Sequence, residues 1–448
     1  MSKQLRAGAA TANITPWLGI AMRGAFRDVH YADAVHDELL AKALVLDDGV
    51  RQIAFVLCDL TMMPRTMMDG AKERIAERAG IPPDHVLIAS THTHSAPATV
   101  TVGFMEEQTE YTTWAVRKIA DAVEIAMNRL QPARIGFASV QEPRLVFNRR
   151  YHMRNGQVHF NPGAGNPDVI KPAGTTDPEL TLCYVESCAG EPLAVLANYA
   201  LHYVGTDTGT EISADYFGHF FNAIQHLLGP QAVGLLFNGA SGNVNNTNVF
   251  KPWPHRGHAQ AARMANVLAG HALTEMQLME MYDHVALQAA VGEFDFARKQ
   301  TTDDDVAVAD KVLSGDIEYT EGPFSAVTGQ PIYPGWAPAY AREIKVLHTL
   351  PRTLTSAVQA INVGPAGFAA LPGEIFVEIG LAIKEGSPFA TQFVMSLSND
   401  YLGYVATDEQ LALGAYETWP SRTAIGGPGT AQAMEAKALE LLKSLADG

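Results

Sequence analysis

Short, nearly unbroken apolar runs alternate with amphipathic stretches along the early part of the chain. Residues 51–60 (RQIAFVLCDL) are mostly apolar at consecutive positions and include Asp59 near their end, which predicts a buried strand. Residues 66–79 carry helical spacing, and Gly80 stops them before Pro82-Pro83. Residues 85–89 (HVLIA) predict a second buried strand, followed by the polar segment Ser90-Thr91-His92-Thr93-His94-Ser95. Strand, helix and strand in that order predict a parallel unit with a right-handed crossover. Ligands of open α/β sheets sit beyond the carboxyl ends of strands, which is where His92 and His94 fall. Further on, residues 114–130 predict an amphipathic helix, and residues 180–199 two strands around Ala189-Gly190-Glu191. Residues 232–237 predict a buried strand running into Asn238-Gly239-Ala240-Ser241-Gly242-Asn243. Residues 356–363 and 367–371 predict a hairpin, and the Gly-, Pro- and Tyr-rich residues 313–341 a long surface excursion. Together these elements predict an α/β fold. Its sheet is mixed or mostly parallel and flanked by helices, and one large domain spans residues 1–448.

Composition narrows the function. The chain has 448 residues, with 32 basic against 48 acidic side chains and a formal charge of −16, so its field repels phosphate backbones and argues against nucleic acid. The hydrophobic share of 47% is that of a packed globule and excludes disorder. Cys58, Cys183 and Cys188 cannot all pair, so no disulfide framework is predicted. No early apolar segment has signal-peptide length, and no window approaches the roughly 18 apolar residues of a membrane helix. A cytoplasmic protein acting on a small molecule is the expectation, with homo-oligomerisation left open.

Four groups carry candidate chemistry. His92 and His94 are two residues apart, so on extended backbone both imidazoles approach one side, although histidines at strand ends are as often solvated or hydrogen-bonded core groups. His202 ends the apolar run 193–201 and, taken alone, reads as structural. Glu374 follows the turn Leu371-Pro372-Gly373, where a glutamate most commonly opens a helix and is stabilised by its dipole. Tyr401 and Tyr404 flank Gly403, a setting in which tyrosines usually pack. Two histidines, a carboxylate and an open position make a zinc hydrolase site, but spacing alone does not join residues so far apart.

A resemblance does. Residues 8–16 (GAATANITP), His36-Asp37-Glu38-Leu39 with Ala41-Lys42-Ala43-Leu44, and Thr91-His92-Thr93-His94-Ser95-Ala96-Pro97 resemble, in order, blocks of the neutral/alkaline non-lysosomal ceramidase family. Asn148-Arg149, Asp177-Pro178-Glu179, His202, Ser213-Ala214-Asp215-Tyr216, Pro372-Gly373-Glu374 and residues 399–407 continue the series. The similarity is to the family's N-terminal catalytic domain, in a short bacterial-type form. It implies a hydrolase with one zinc ion per chain that cleaves the amide bond of an N-acyl, lipid-like substrate through a metal-activated water. The implied ligands are His92, His202, Glu374 and Tyr404, with Tyr401 as the competing tyrosine. His94 matches a residue placed to contact substrate or handle a proton, and Arg149 an arginine that holds the reacting group.

The chain also departs from the pattern. The family's active-site serine falls on Asn245 in Gly242-Asn243-Val244-Asn245-Asn246, leaving Ser241 as a nearby hydroxyl and Asn245 as a donor to an oxyanion. The secretion signal and immunoglobulin-like C-terminal domain of longer members are not expected here, so a smaller N-acyl compound competes with ceramide. A zinc esterase or lactonase and a non-catalytic metal- or ligand-binding homologue are the alternatives. A barrel amidohydrolase fits less well, because that class places its His-x-His near the N-terminus. The methionines of Thr61-Met62-Met63 and Thr66-Met67-Met68 read as core packing rather than an acyl pocket.

Overall fold

A computed structural model of the chain describes residues 4–22, 29–205, 209–251, 255–317 and 334–447. Its main sheet runs in the order Val233–Asn238, Pro192–Tyr199, Glu179–Ser187, Gln131–Gln141, Arg6–Asn13, Leu40–Asp47, Gln52–Cys58, Val86–Ser90, with Met281–Tyr282 added beside Gln131–Gln141. The mixed sheet is as expected, but its interior is antiparallel and only the outermost pair at each edge is parallel. Connection length decides this. Leu40–Asp47 turns straight into Gln52–Cys58, where the Asp47 and Asp48 carboxylates accept the amides of Gly49, Val50 and Arg51. Glu179–Ser187 turns as tightly into Pro192–Tyr199, with the Ser187 hydroxyl accepting the amides of Ala189 and Glu191. The two edge pairs are instead bridged by the helices Arg65–Ala79 and Asp215–Leu228, which return the chain in the same direction. The first of these helices ends at Gly80, left-handed at φ 73°.

A second sheet, Leu287–Ala297, Thr353–Val363, Ala366–Ala370 and Thr391–Met395, covers one face of the first. It contains the predicted hairpin. Side chains alternate faces along each strand. Leu44, Leu46, Phe55 and Leu87 therefore meet Ile361, Phe368, Phe393 and Met395 between the sheets. Ala43, Val45, Val56 and Ile88 meet the helices Arg65–Ala79 and Thr109–Asn128 on the outside, and Met63, Met67 and Met68 pack in that same outer core. Burial on both faces is why these strands read as unbroken apolar runs. The expected excursion at 313–341 is corrected at both ends by the helices Asp303–Ser314 and Ala337–Thr349, and residues 318–333 lie outside the described residues. Among the described residues no helix is long and apolar enough to cross a membrane, and the three cysteines are free.

The sheet curls until its edges meet. The Asn238 side chain, at one edge, donates to the carbonyl of Thr91 just past the other at 3.4 Å. The segment after Thr391–Met395 bridges them, with the Ser396 amide on the Asn238 carbonyl (3.0 Å) and the Ser90 amide on the Leu397 carbonyl (3.2 Å). The carboxyl ends of strands from both sheets converge at this seam.

One buried cation away from the seam has a measurable consequence. The Lys299 amine donates to the Ala424 carbonyl, and burial pulls its pKa down to about 7. The unfolded lysine titrates near 10.4. Between about pH 7 and pH 10 the unfolded chain therefore binds more protons at this residue, and stability rises with pH across that window. Lys299→Met is expected to flatten this rise, read as Tm at about pH 7 and pH 10 in both proteins. Equal slopes would contradict it.

Candidate metal and catalytic centre

His92 follows the edge strand Val86–Ser90 and sits in the left-handed region at φ 68°. A non-glycine residue there carries strain of about 1 kcal/mol or more, held in place here by the surrounding hydrogen bonds. The Thr91 amide bonds to Cys58 and the His92 amide to Leu60, both at 2.9 Å, and the His92 Nδ1–H donates to the Thr61 carbonyl at 2.6 Å. That donation leaves Nε2 as a bare lone pair. His202 follows Pro192–Tyr199 at the other end of the sheet order, with Nδ1 3.3 Å from the Ser241 carbonyl.

Glu374 arrives from the second sheet through Leu371-Pro372-Gly373. Gly373 has φ 125°, and a Cβ there would lie 2.5 Å from the Gly403 carbonyl oxygen. Glu374 does not open a helix, correcting the commonest reading of its turn. It lies in a two-residue strand, Glu374–Ile375, paired in parallel with Tyr404–Val405, and the helix Val377–Gly386 begins later. Gly242 lies against this strand so closely that a Cβ would sit 2.4 Å from the Glu374 carbonyl oxygen.

These elements bring four predicted residues to one point. His92 Nε2 is 3.1 Å from His202 Nε2, 3.2 Å from His94 Nε2 and 3.2 Å from Glu374 Oε2, which is 3.6 Å from His202 Nε2. Ligand atoms about 2.1 Å from one tetrahedral ion stand about 3.4 Å apart, so the spacing fits a shared metal. Glu374 Oε2 is buried and has no hydrogen-bond partner among the described residues, while Oε1 accepts from the Tyr401 hydroxyl at 2.7 Å. Burial pushes the Glu374 carboxyl up, while the Tyr401 hydroxyl and the Arg149 charge pull it down and favour the ionised form. An ionised, orphaned oxygen facing imidazole lone pairs is a donor set suited to zinc or a similar borderline cation.

The other candidates take distinct places. The Tyr404 ring lies nearly parallel to that of His202 with centroids 6.5 Å apart, and the Arg149 guanidinium stands 5.3 Å over it. Tyr401 is the tyrosine that reaches the carboxylate itself. Arg149 is buried; burial works against its charge, and Tyr404 and Glu417 more than restore it. Its Nε donates to Glu417 at 2.8 Å, and its Nη2 has no hydrogen-bond partner among the described residues. His94 stacks on Tyr203 with centroids 3.4 Å apart. Ser241 offers His202 its carbonyl. The Asn245 side chain donates to Asn161 at 2.7 Å and accepts the Thr247 amide at 2.9 Å. Beside His202 opens a cavity of about 210 Å³ whose wall includes Arg149, Asn161, Tyr203, Asn245 and Arg256.

Sequence reasoning missed Glu417. Fully buried, it bridges Arg149 and Arg150, each at 2.8 Å. An acid in the aromatic stretch Tyr416-Glu417-Thr418-Trp419 was its sole signal. Thr61 and Tyr203, which hold His92 and His94, were missed for the same reason, since their roles exist only in the folded chain.

Three imidazoles and a carboxylate at converging strand ends of a mixed α/β fold make a candidate metal-binding group. Residues 5–227 match the model of the family described as neutral/alkaline non-lysosomal ceramidase, N-terminal, and the chain belongs to that family. His92, His94, Arg149 and His202 lie within the match, whereas Ser241, Asn245, Glu374 and Tyr404 lie beyond it. The fold is similar to that of a neutral ceramidase from Pseudomonas aeruginosa, at TM-score 0.74 and 19% identity, over 100% of this chain and 75% of that one. A structure described as ceramidase complexed with C2 is similar at TM-score 0.72 and 18% identity, over 99% and 76% of the two chains.

Proposed function

We propose that this chain is a zinc-dependent amidase that hydrolyses the amide bond of an N-acyl compound, with His92, His202 and Glu374 holding the ion and Tyr404 as the fourth ligand. One observation carries the reading: the partnerless, buried Glu374 Oε2 faces two imidazole nitrogens at 3.2 and 3.6 Å. When bound, zinc polarises the scissile carbonyl and acidifies a water. The chain's own groups do the rest. Arg149 lines the cavity with Nη2 unpartnered, so it is the donor for the carbonyl oxygen as negative charge develops there. Asn245 keeps one amide proton beyond its bond to Asn161 and supplies a second donor. His94, held against Tyr203, delivers the proton to the leaving amine. Ser241 is assigned the positioning of His202 through its carbonyl rather than nucleophilic attack.

The similar solved proteins are described as ceramidases. Here the described wall of the cavity carries Arg149, Arg256, Asn161 and Asn245 and no carboxylate, which favours an N-acyl substrate with a polar or anionic group over one that is aliphatic throughout. The test is zinc content and hydrolysis of a panel from short N-acyl amino acids to ceramides, in wild type and His202→Ala. Loss of one zinc equivalent together with all amide cleavage supports the reading, and cleavage surviving in the variant overturns it. Short N-acyl amino acids are expected to exceed ceramides in kcat/KM, and the reverse order would overturn the substrate assignment.

A further inference from the structure

A second group of imidazoles lies apart from this centre. His36, Asp37, His219 and His258 each offer one ligand atom, and these atoms all fall within 4.8 Å of one another. They come from separate elements. His36 and Asp37 follow the short strand Ala34–Val35, His219 belongs to the helix Asp215–Leu228, and His258 opens the helix His258–Met276.

Hydrogen bonding orients the group inward. His258 Nε2 lies 2.8 Å from Glu211 Oε2, and a carboxylate at that distance takes the ring N–H, leaving Nδ1 as a bare lone pair. Among the described residues that buried Nδ1 has no hydrogen-bond partner, and neither has Nε2 of His219. Asp37 is fixed on both oxygens: Oδ2 accepts from the Ser213 hydroxyl at 2.5 Å, and Oδ1 lies 2.9 Å from His36 Nδ1. The His36 ring stacks on that of His258 with centroids 3.3 Å apart. Two buried ring nitrogens left without partners are a standing cost to the fold, and a cation between them removes it.

We propose that His36, Asp37, His219 and His258 form a second binding site for a divalent transition metal, distinct from the centre at His92. Three imidazoles and one carboxylate select zinc, nickel, cobalt or copper over the hard oxygen-seeking cations. The site lies behind the segment that carries His92 and His94. Ser213, whose hydroxyl holds Asp37, accepts the Thr93 hydroxyl on its carbonyl at 2.6 Å and gives its amide to the Ser95 carbonyl at 3.0 Å. An ion at Asp37 therefore braces Ser213 and, through it, the Thr93 turn.

The test is metal stoichiometry, read independently of catalysis. Metal-stripped wild type titrated with zinc in a calorimeter is expected to take up about two equivalents per chain. His202→Ala, disabled at the first centre, is expected to keep about one, and His202→Ala combined with His219→Gln to keep none. Circular dichroism on each variant checks folding. His258→Gln repeats the arm, so loss of the fold in one variant does not decide the matter. Unchanged uptake on replacing His219 or His258, or a single equivalent in the wild type, would overturn the proposal. Complete loss of zinc uptake in a folded His202→Ala would overturn it as well, because the second site must fill without the first.

Discussion

Glu374→Gln is expected to lower kcat/KM for amide cleavage by about 10³-fold or more, which corresponds to losing several kcal/mol of Lewis-acid stabilisation. The substitution keeps the shape of the side chain, and glutamine can still accept the Tyr401 hydroxyl that now bonds Oε1 at 2.7 Å. What it removes is the charge on Oε2, the atom that faces His92 and His202 with no hydrogen-bond partner of its own. Metal content should fall in step with activity, while circular dichroism and Tm without metal stay close to wild type. Retained metal together with a thousandfold loss would move Glu374 from ligand to proton carrier. Full activity would exclude it from the centre.

The second large effect is on stability. Glu417→Ala leaves the Arg149 and Arg150 guanidiniums facing one another without their shared carboxylate, in a site from which water is excluded. Removing one partner from a buried ion cluster costs about 3–5 kcal/mol. Arg150 retains the Gln410 side chain and the carbonyls of Gln410 and Gly414, so its position is over-determined, whereas Arg149 loses the partner that holds its Nε. Denaturant unfolding should therefore show a lower midpoint, and kcat should fall in the protein that still folds because Arg149 is released. A midpoint within about 0.5 kcal/mol of wild type would show that the bridge contributes little.

How much of this was legible before the structure depends on the range over which each signal acts. The strand pair 52–58 and 86–90, its helical crossover and the His92/His94 pair beyond it follow from local pattern, because burial on both faces writes itself into consecutive residues. The antiparallel interior was less legible. Turns such as Asp47-Asp48-Gly49 set it, and a short turn looks much like any other loop until its carboxylates are seen to hold backbone amides. The union of His92 with His202 and Glu374 has no local signal, since it depends on how far a sheet curls and on what seals its edges. Resemblance supplied that union for His92, His202 and Glu374. It did not supply Glu417, or the imidazole cluster at His36, whose meaning lies in which nitrogens end up without partners.

The seam described by Asn238, Thr91, Ser396 and Leu397 also ties the candidate centre to the docking of the two sheets. No two of His92, His202 and Glu374 belong to one element: the histidines follow strands of the first sheet, and Glu374 lies in the short strand Glu374–Ile375 reached from the second. Within the first sheet, the long Asn238–Thr91 hydrogen bond is the link described between the edges that carry His92 and His202. Residues 396 and 397 add two backbone links across the gap, and Glu374 reaches it from the same second sheet. If the centre holds an ion as proposed, a pulse of metal during refolding would report when the two sheets have found each other.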